Sequence, residues 1–335
     1  MSSQPPLARF LMSPEPFDEV YPPPVRRRIA AAARVDGADP DPARVLADHS
    51  LLAGVEVLCT GWGAPPLGGA LLEAAPGLRL VAHAAGSVRP IVTDELWERG
   101  VRVVSAAAAN AVPVAEFTVA QVVYALKHGW RLVLAAREAR APVPPGPHLG
   151  GVLDAEVGLL SLGAIGRMVA ARLRAHGVRV LAHDPYAAER DARALGVELV
   201  GLEELFARGE VVSLHAPLLP ATTGLVDGPL LRLMRPYATL LNTARGGLVD
   251  EPSLVEVLRE RPDLMAVLDV THPEPVAAGS PLLTLPNAVV TPHVAGSMGR
   301  ERARLGHLVA DELERWTAGA PLTHEVTRER TALLA

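Results

Sequence analysis

Gly163 and Gly166, with Ser161 ahead of them, stand where an apolar stretch, Val157–Leu160, gives way to a helical pattern, Ile165–His176. A strand that turns into a helix through small residues lets backbone approach a pyrophosphate closely. The free N–H groups and positive dipole end of the helix can then meet the phosphate charge. The run Gly158-Leu159-Leu160-Ser161-Leu162-Gly163-Ala164-Ile165-Gly166 fits the G-x-G-x-x-G dinucleotide spacing, with Ser161 at the first glycine position. Serine is small enough for a turn, but its φ range is narrower than that of glycine. By itself the run also reads as an ordinary strand-to-helix turn. Asp184 shifts the balance. It follows the next apolar stretch, Val178–Ala182, about 20 residues past the glycines, where an acid can accept from the adenosine ribose hydroxyls. A carboxylate there repels a 2′-phosphate, and no arginine follows it directly. The expected cofactor is therefore NAD rather than NADP. Without the glycines, Asp184 is simply a turn residue before Pro185.

The elements needed to hold such a turn recur along the chain. Arg9–Met12, Val55–Thr60, Leu78–Ala82 and Val101–Val104 read as strands. Gly69–Ala75 and Thr93–Arg99 read as helices, the latter with Thr93 as N-cap and Gly100 as its stop. Pro113 fits the first turn of a long helix running from Val114 to about Ala139. Residues 141–151 are rich in proline and glycine and read as a loop. A second β-α rhythm starts at Val157. Its later strands are Val211–Leu214, Thr239–Asn242, Ala266–Asp269 and Ala288–Thr291, and Arg300–Ala318 is helical again. This alternation argues for open parallel sheets.

Composition sets the frame. The 335 residues suggest two domains at roughly 100–200 residues each. With 49% hydrophobic and 21% charged residues, the chain reads as globular. A formal net charge of -5 argues against nucleic acid or an anionic membrane as partner. Cys59 is the only cysteine, so no intrachain disulfide can form, and its apolar neighbours suit a buried small hydrophobe. Met1–Arg9 has no apolar core of signal-peptide type. No uncharged apolar run reaches the ~18 residues of a membrane span. A cytoplasmic protein is expected.

Three further segments complete the pattern: Leu241-Asn242-Thr243-Ala244-Arg245-Gly246-Gly247-Leu248-Val249-Asp250-Glu251, Leu268-Asp269-Val270-Thr271-His272-Pro273-Glu274-Pro275 and Thr291-Pro292-His293-Val294-Ala295-Gly296. In this order they resemble the signatures of the D-isomer-specific 2-hydroxyacid dehydrogenase family, to which 3-phosphoglycerate, glycerate, glyoxylate and hydroxypyruvate enzymes belong. The resemblance runs from about Leu78 to about Trp316. It implies that Arg245 is the substrate cation, whose planar fork can hold carboxylate and carbonyl oxygens. It implies that His293 is the acid/base and that Glu274 orients the ring and favours its protonated form. Taken singly, Arg245 reads equally as a surface ion pair, Glu274 as a loop charge and His293 as a satisfied loop histidine.

By the same resemblance, Ala164 and Ile165 lie over the pyrophosphate. His215, Ala216 and Pro217 pass the adenine and ribose, and Thr243 and Ala244 border the nicotinamide ribose. Asp269 is placed to accept from the nicotinamide carboxamide, or else caps a strand end. Gly296 closes the cofactor set. Gly86, Ser87 and Val88 match a loop whose backbone N–H groups meet the substrate carboxylate, and Arg89 is a weaker candidate for a second cation. Met12, Trp62 and His83 are expected to shape the pocket. No metal is called for.

The fold expected is α/β, with two Rossmann- or flavodoxin-like domains built on parallel sheets and the cofactor domain inserted into the substrate domain. Residues 1–112 plus 300–335 form the substrate-binding part, and 113–299 the NAD-binding part. The function implied is NAD-dependent interconversion of a small 2-keto acid and a D-2-hydroxy acid by a homodimer. The alternative is an NAD(H)-sensing, corepressor-like binding protein of the same fold.

Overall fold

Two sets of short apolar strands give the chain its two sheets. The computed structural model describes residues 4–37, 40–144, 146 and 150–331. The chain divides into one unit made of Met1–Ala111 and Ser297–Ala335, and a second, continuous one, Val112–Gly296, that interrupts it.

The first unit holds β1 (Leu7–Leu11), β2 (Arg34–Val35), β3 (Val57–Thr60), β4 (Leu80–His83) and β5 (Arg102–Ser105), all parallel in the order β5-β4-β3-β1-β2. Successive side chains point to opposite faces. Ala8, Phe10, Val57, Cys59, Leu80, Ala82 and Val104 therefore pack under helices Pro23–Ala32 and Ala303–Thr317. Leu11, Leu58, Val81 and Val103 pack on the other side against Leu71, Leu72 and Leu96. Both faces are covered, so the strands are apolar throughout. Cys59 is buried, and burial pushes its thiol up to about 12. One edge departs from the expected all-parallel sheet. Val326 pairs antiparallel with Val103 in a short strand, β6 (Glu325–Val326). Glu312, with no exposed surface, accepts from Thr323 N–H at 3.0 Å and pins this return. Arg102 grips Glu325 with two hydrogen bonds of 2.7 and 2.6 Å.

Among the described residues the second unit has seven parallel strands: βa (Glu156–Leu160), βb (Arg179–His183), βc (Val197–Leu199), βd (Val211–Leu214), βe (Thr239–Asn242), βf (Met265–Leu268) and βg (Ala288–Val290). Their spatial order is βc-βb-βa-βd-βe-βf-βg, the doubly wound arrangement that reverses direction beside its first strand. Ligands of such sheets bind outside the carboxyl ends of the strands at that reversal. Helix Ala164–Arg174 leaves the carboxyl end of βa there.

Two sequence expectations change. Pro113 is not in a first turn but inside helix Ala107–Leu126. The helix starts early because Ser105 Oγ accepts the Ala107 N–H at 3.1 Å. Nor does one helix run to Ala139. The chain breaks at His128, in the left-handed region at φ 54, and a second helix runs Gly129–Ala139. Gly129 lies against the Tyr124 ring, where an added Cβ would come within 2.3 Å of a ring carbon. Of the predicted loop 141–151, residues 145 and 147–149 lie outside the described residues. Helix Ala107–Leu126 is long and apolar enough to cross a membrane. However, it carries Glu116, and Ala115, Val119, Val122, Ala125 and Leu126 pack into the core around βa and βb.

Gly306 marks the tightest helix packing in the first unit: a Cβ there would sit 1.9 Å from the Val20 carbonyl oxygen. Gly306→Ala should cost about 1–3 kcal/mol through overpacking. Urea denaturation followed by circular dichroism checks this; an unchanged midpoint would show that the helix shifts freely.

Candidate active site

Asn242, the last residue of βe, organises the loop that follows. Its Oδ1 accepts the Ala244 N–H at 3.0 Å and its Nδ2 donates to the Arg245 carbonyl at 2.9 Å. Gly246 comes next, packed so tightly that a Cβ would lie 2.0 Å from the Thr271 carbonyl carbon and oxygen. No side chain fits, and the Arg245 loop therefore lies directly on the Thr271–Glu274 loop. The Arg245 guanidinium is largely withdrawn from water, and burial lowers its pKa, opposed by the charge of Glu274. Its side-chain hydrogen bond among the described residues goes to the Ala244 carbonyl at 2.7 Å. A desolvated cation so lightly satisfied has guanidinium donors to offer an anion.

Glu274 Oε1 pairs with His293 Nδ1, and both side chains remain partly open to solvent. His293 itself has left-handed backbone, φ 54. Its loop is folded around Asp269, which is 2% exposed. Asp269 Oδ1 accepts from Thr291 Oγ1 at 2.5 Å and from Val294 N–H at 2.9 Å. Its Oδ2 accepts from Ala295 N–H at 2.9 Å, and its carbonyl accepts the His293 N–H at 2.9 Å. These four bonds tie the His293 loop to the end of βf. Arg245, Glu274 and His293 are thus neighbours.

At the carboxyl end of βa, Ser161 adopts φ 84. Its Oγ donates to Asp184 Oδ2 at 3.1 Å, and Leu162 N–H donates to the same oxygen at 2.8 Å. Asp184 Oδ1 accepts from Tyr186 N–H at 2.9 Å. Gly163 precedes helix Ala164–Arg174 with no side-chain cap, leaving Ala164 and Ile165 at an open helix start. A Cβ at Gly166 would lie 2.2 Å from the Ser161 carbonyl oxygen, so the helix sits tight on the turn. His215 follows βd. Its Nε2 shares a hydrogen bond with Ser213 Oγ at 3.0 Å, while its Nδ1 is buried with no partner among the described residues. Ala216 is buried in the core, and the Pro217 carbonyl accepts from Thr222 Oγ1. Thr243 is buried, its hydroxyl bonded to Thr118 Oγ1 at 2.9 Å. Gly296 is partly buried at the end of the His293 loop.

In the first unit, Ser105 Oγ donates to the Gly86 carbonyl at 2.6 Å and holds the Gly86–Val88 turn. Gly86 and Ser87 are partly accessible, but Val88 has no exposed surface. The Val88 side chain fills the core beside Ile91 and Leu96, which anchors the turn whose backbone N–H groups the resemblance implicates. Met12 and His83, expected to shape a pocket, are also buried. His83 shares a hydrogen bond with Thr60 Oγ1 at 2.9 Å, and burial pulls its pKa down to about 4. Trp62 stays partly exposed beneath the Arg302 guanidinium, 5.4 Å from its ring centre.

Residues 123–295 match the family described as D-isomer specific 2-hydroxyacid dehydrogenase, NAD binding domain. This chain belongs to that family. A glyoxylate reductase of Korarchaeum cryptofilum is 35% identical over 251 residues, 74% of this chain and 76% of the relative. A D-3-phosphoglycerate dehydrogenase of Mycobacterium leprae is 37% identical over 251 residues, 74% of this chain but 47% of the relative. The chain therefore spans about half the length of the phosphoglycerate dehydrogenases it matches. A solved D-isomer specific 2-hydroxyacid dehydrogenase of Lactobacillus delbrueckii ssp. bulgaricus, in its NAD complexed form, superposes with a TM-score of 0.79 at 22% identity, over 96% of this chain and 99% of that one. That likeness establishes the fold.

The family's NAD fits the residues present. The uncapped helix start at Gly163, the glycine contact at Gly166, the partly accessible Asp184 carboxylate and the unpartnered His215 Nδ1 are all on the βa–βb–βd side of the sheet. The sequence reading gave no role to Asn242, Thr291 or Thr118. Asn242 and Thr291 stand inside the quoted segments, and a polar residue closing an apolar strand was the available signal. Thr118 left none.

His215 also supplies a pH signature. Part of the residue touches solvent, but burial lowers the ring's pKa from 6.5 to about 4. Between these values the unfolded chain binds a proton that the folded chain refuses. Stability therefore falls as pH drops from 6.5 to about 4, by up to about 3 kcal/mol and less where the ring edge stays wet. Below about 4 both states are protonated and this slope ends. His215→Asn should flatten the denaturation-versus-pH curve in that window; an unaltered slope would mean that the ring is charged in the fold.

Proposed function

We propose that this protein is an NAD-dependent oxidoreductase that interconverts a small 2-keto acid and a D-2-hydroxy acid. The observation that carries the reading is the joining of Arg245, Glu274 and His293 on neighbouring loops, with the imidazole held through Nδ1 by a carboxylate. Arg245 takes the substrate's carboxylate and carbonyl oxygens, because a buried guanidinium gains most from a bidentate anion. Glu274 fixes the ring through Nδ1, which leaves Nε2 as the nitrogen that carries the transferable proton. In reduction His293 delivers that proton to the carbonyl oxygen; in oxidation it removes it from the hydroxyl. NADH, when bound, supplies the hydride for C2. Asp184 receives the adenosine ribose, and backbone N–H groups of Gly86, Ser87 and Val88 serve the substrate carboxylate. The protein acts as a cytoplasmic homodimer without nucleic acid or membrane partners.

The test is NADH oxidation by the purified chain against a panel of 2-keto acids including glyoxylate and hydroxypyruvate. Arg245→Ala should lose about 2–5 kcal/mol of kcat/KM. Full activity in that variant would remove Arg245 from the substrate site. His293→Ala should lose most turnover yet bind NADH as the wild type does, as read by NADH fluorescence. If binding is lost along with turnover, the histidine's role is structural. Asp184→Ala should narrow the preference for NADH over NADPH, and unchanged discrimination would contradict its ribose role.

A further inference from the structure

Asp184 presents an accounting problem for a ribose. A carboxylate offers about four acceptor sites. Three are already taken, two on Oδ2 by Ser161 Oγ and Leu162 N–H and one on Oδ1 by Tyr186 N–H. One site remains, on Oδ1, whereas the adenosine ribose brings two neighbouring hydroxyl donors. The missing acceptor is next to the carboxylate. A serine hydroxyl has one proton and two lone pairs, and the proton of Ser161 is directed at Asp184. A hydroxyl that donates to an anion is polarised into a better acceptor. Ser161 is also partly accessible, and it holds φ 84, a conformation that glycine adopts freely and serine rarely does.

We propose that Ser161 is a ribose-binding residue: its Oγ accepts one adenosine ribose hydroxyl while Asp184 Oδ1 accepts the other. The inference rests on the reading of Asp184 as the ribose acid and adds to it a second acceptor, in the place where the dinucleotide turn normally carries glycine. It also gives a physical basis for rejecting a 2′-phosphate. A carboxylate held by three donors cannot swing aside to make room for it.

NADH fluorescence titration of the wild type, Ser161→Gly and Asp184→Ala tests this without reference to turnover, using NADH and its two analogues lacking the adenosine 2′- or 3′-hydroxyl. Glycine suits the left-handed backbone, so the variant keeps its fold, checked by circular dichroism. Ser161→Gly should weaken NADH three- to tenfold, and one analogue should bind wild type and variant alike, because the hydroxyl it lacks is the one Ser161 accepts. Equal or tighter NADH binding by Ser161→Gly, or an unchanged penalty for both analogues, overturns the proposal. If Asp184→Ala weakens NADH while Ser161→Gly does not, only the serine role falls. If neither weakens it, the ribose reading of Asp184 falls as well.

Discussion

A buried carboxylate must be satisfied, and in this protein that requirement shapes the loop that carries His293. Asp269 has almost no contact with water, so its charge is tolerable only with donors in place. Thr291, Val294 and Ala295 provide them. All three belong to the segment that carries His293, and they can reach Asp269 only if that segment curls around it. The left-handed backbone of His293 follows from this curl, with its own N–H tied to the Asp269 carbonyl. The loop is thus folded by the burial of one charge, and the imidazole is aimed as a consequence.

Strand register brings the other groups to the same place. Asn242 pairs with Leu268, and Leu268 with Val290, along parallel neighbours. The three loops that leave this row carry Arg245, Thr271 and His293 at equal distance beyond it. Parallel strands deliver their carboxyl ends to one edge, and functional loops therefore gather there. Asn242 then fixes the first loop from within, and the absence of a side chain at Gly246 lets it lie on the second. Glu274 completes the set from that second loop. The arrangement needs no long-range coincidence beyond the register itself.

This explains what could be read in advance. The central strands were legible because burial on both faces leaves them uniformly apolar, and Val211–Leu214 and Thr239–Asn242 emerge with the expected limits. The edge strands Arg34–Val35 and Glu325–Val326 were not, since two residues carry no periodicity. Helix Pro23–Ala32 hid behind a run of prolines that in fact occupies its first turn, where the missing N–H costs little. Pro113 misled in the opposite sense, because the cap at Ser105 lies upstream and is visible only in three dimensions. In the site, Arg245, Glu274 and His293 were legible as a set through their spacing. The burial of Val88, Met12 and His83 was not, because a residue beside a candidate loop looks the same in sequence whether it faces the core or a ligand.

The two aspartates at the carboxyl edge differ in exposure and in where their donors come from. Both follow a strand, and both accept three hydrogen bonds from their own chain. Asp269 is sealed, and its donors all come from the one loop that carries His293. Asp184 is partly open, and its donors are two backbone N–H groups beside it and one hydroxyl. The serine hydroxyl is different: it can be replaced by hydrogen at no steric cost, and its backbone conformation favours the replacement. A strained serine donating to a partly exposed acid contributes little to a fold that glycine would serve better.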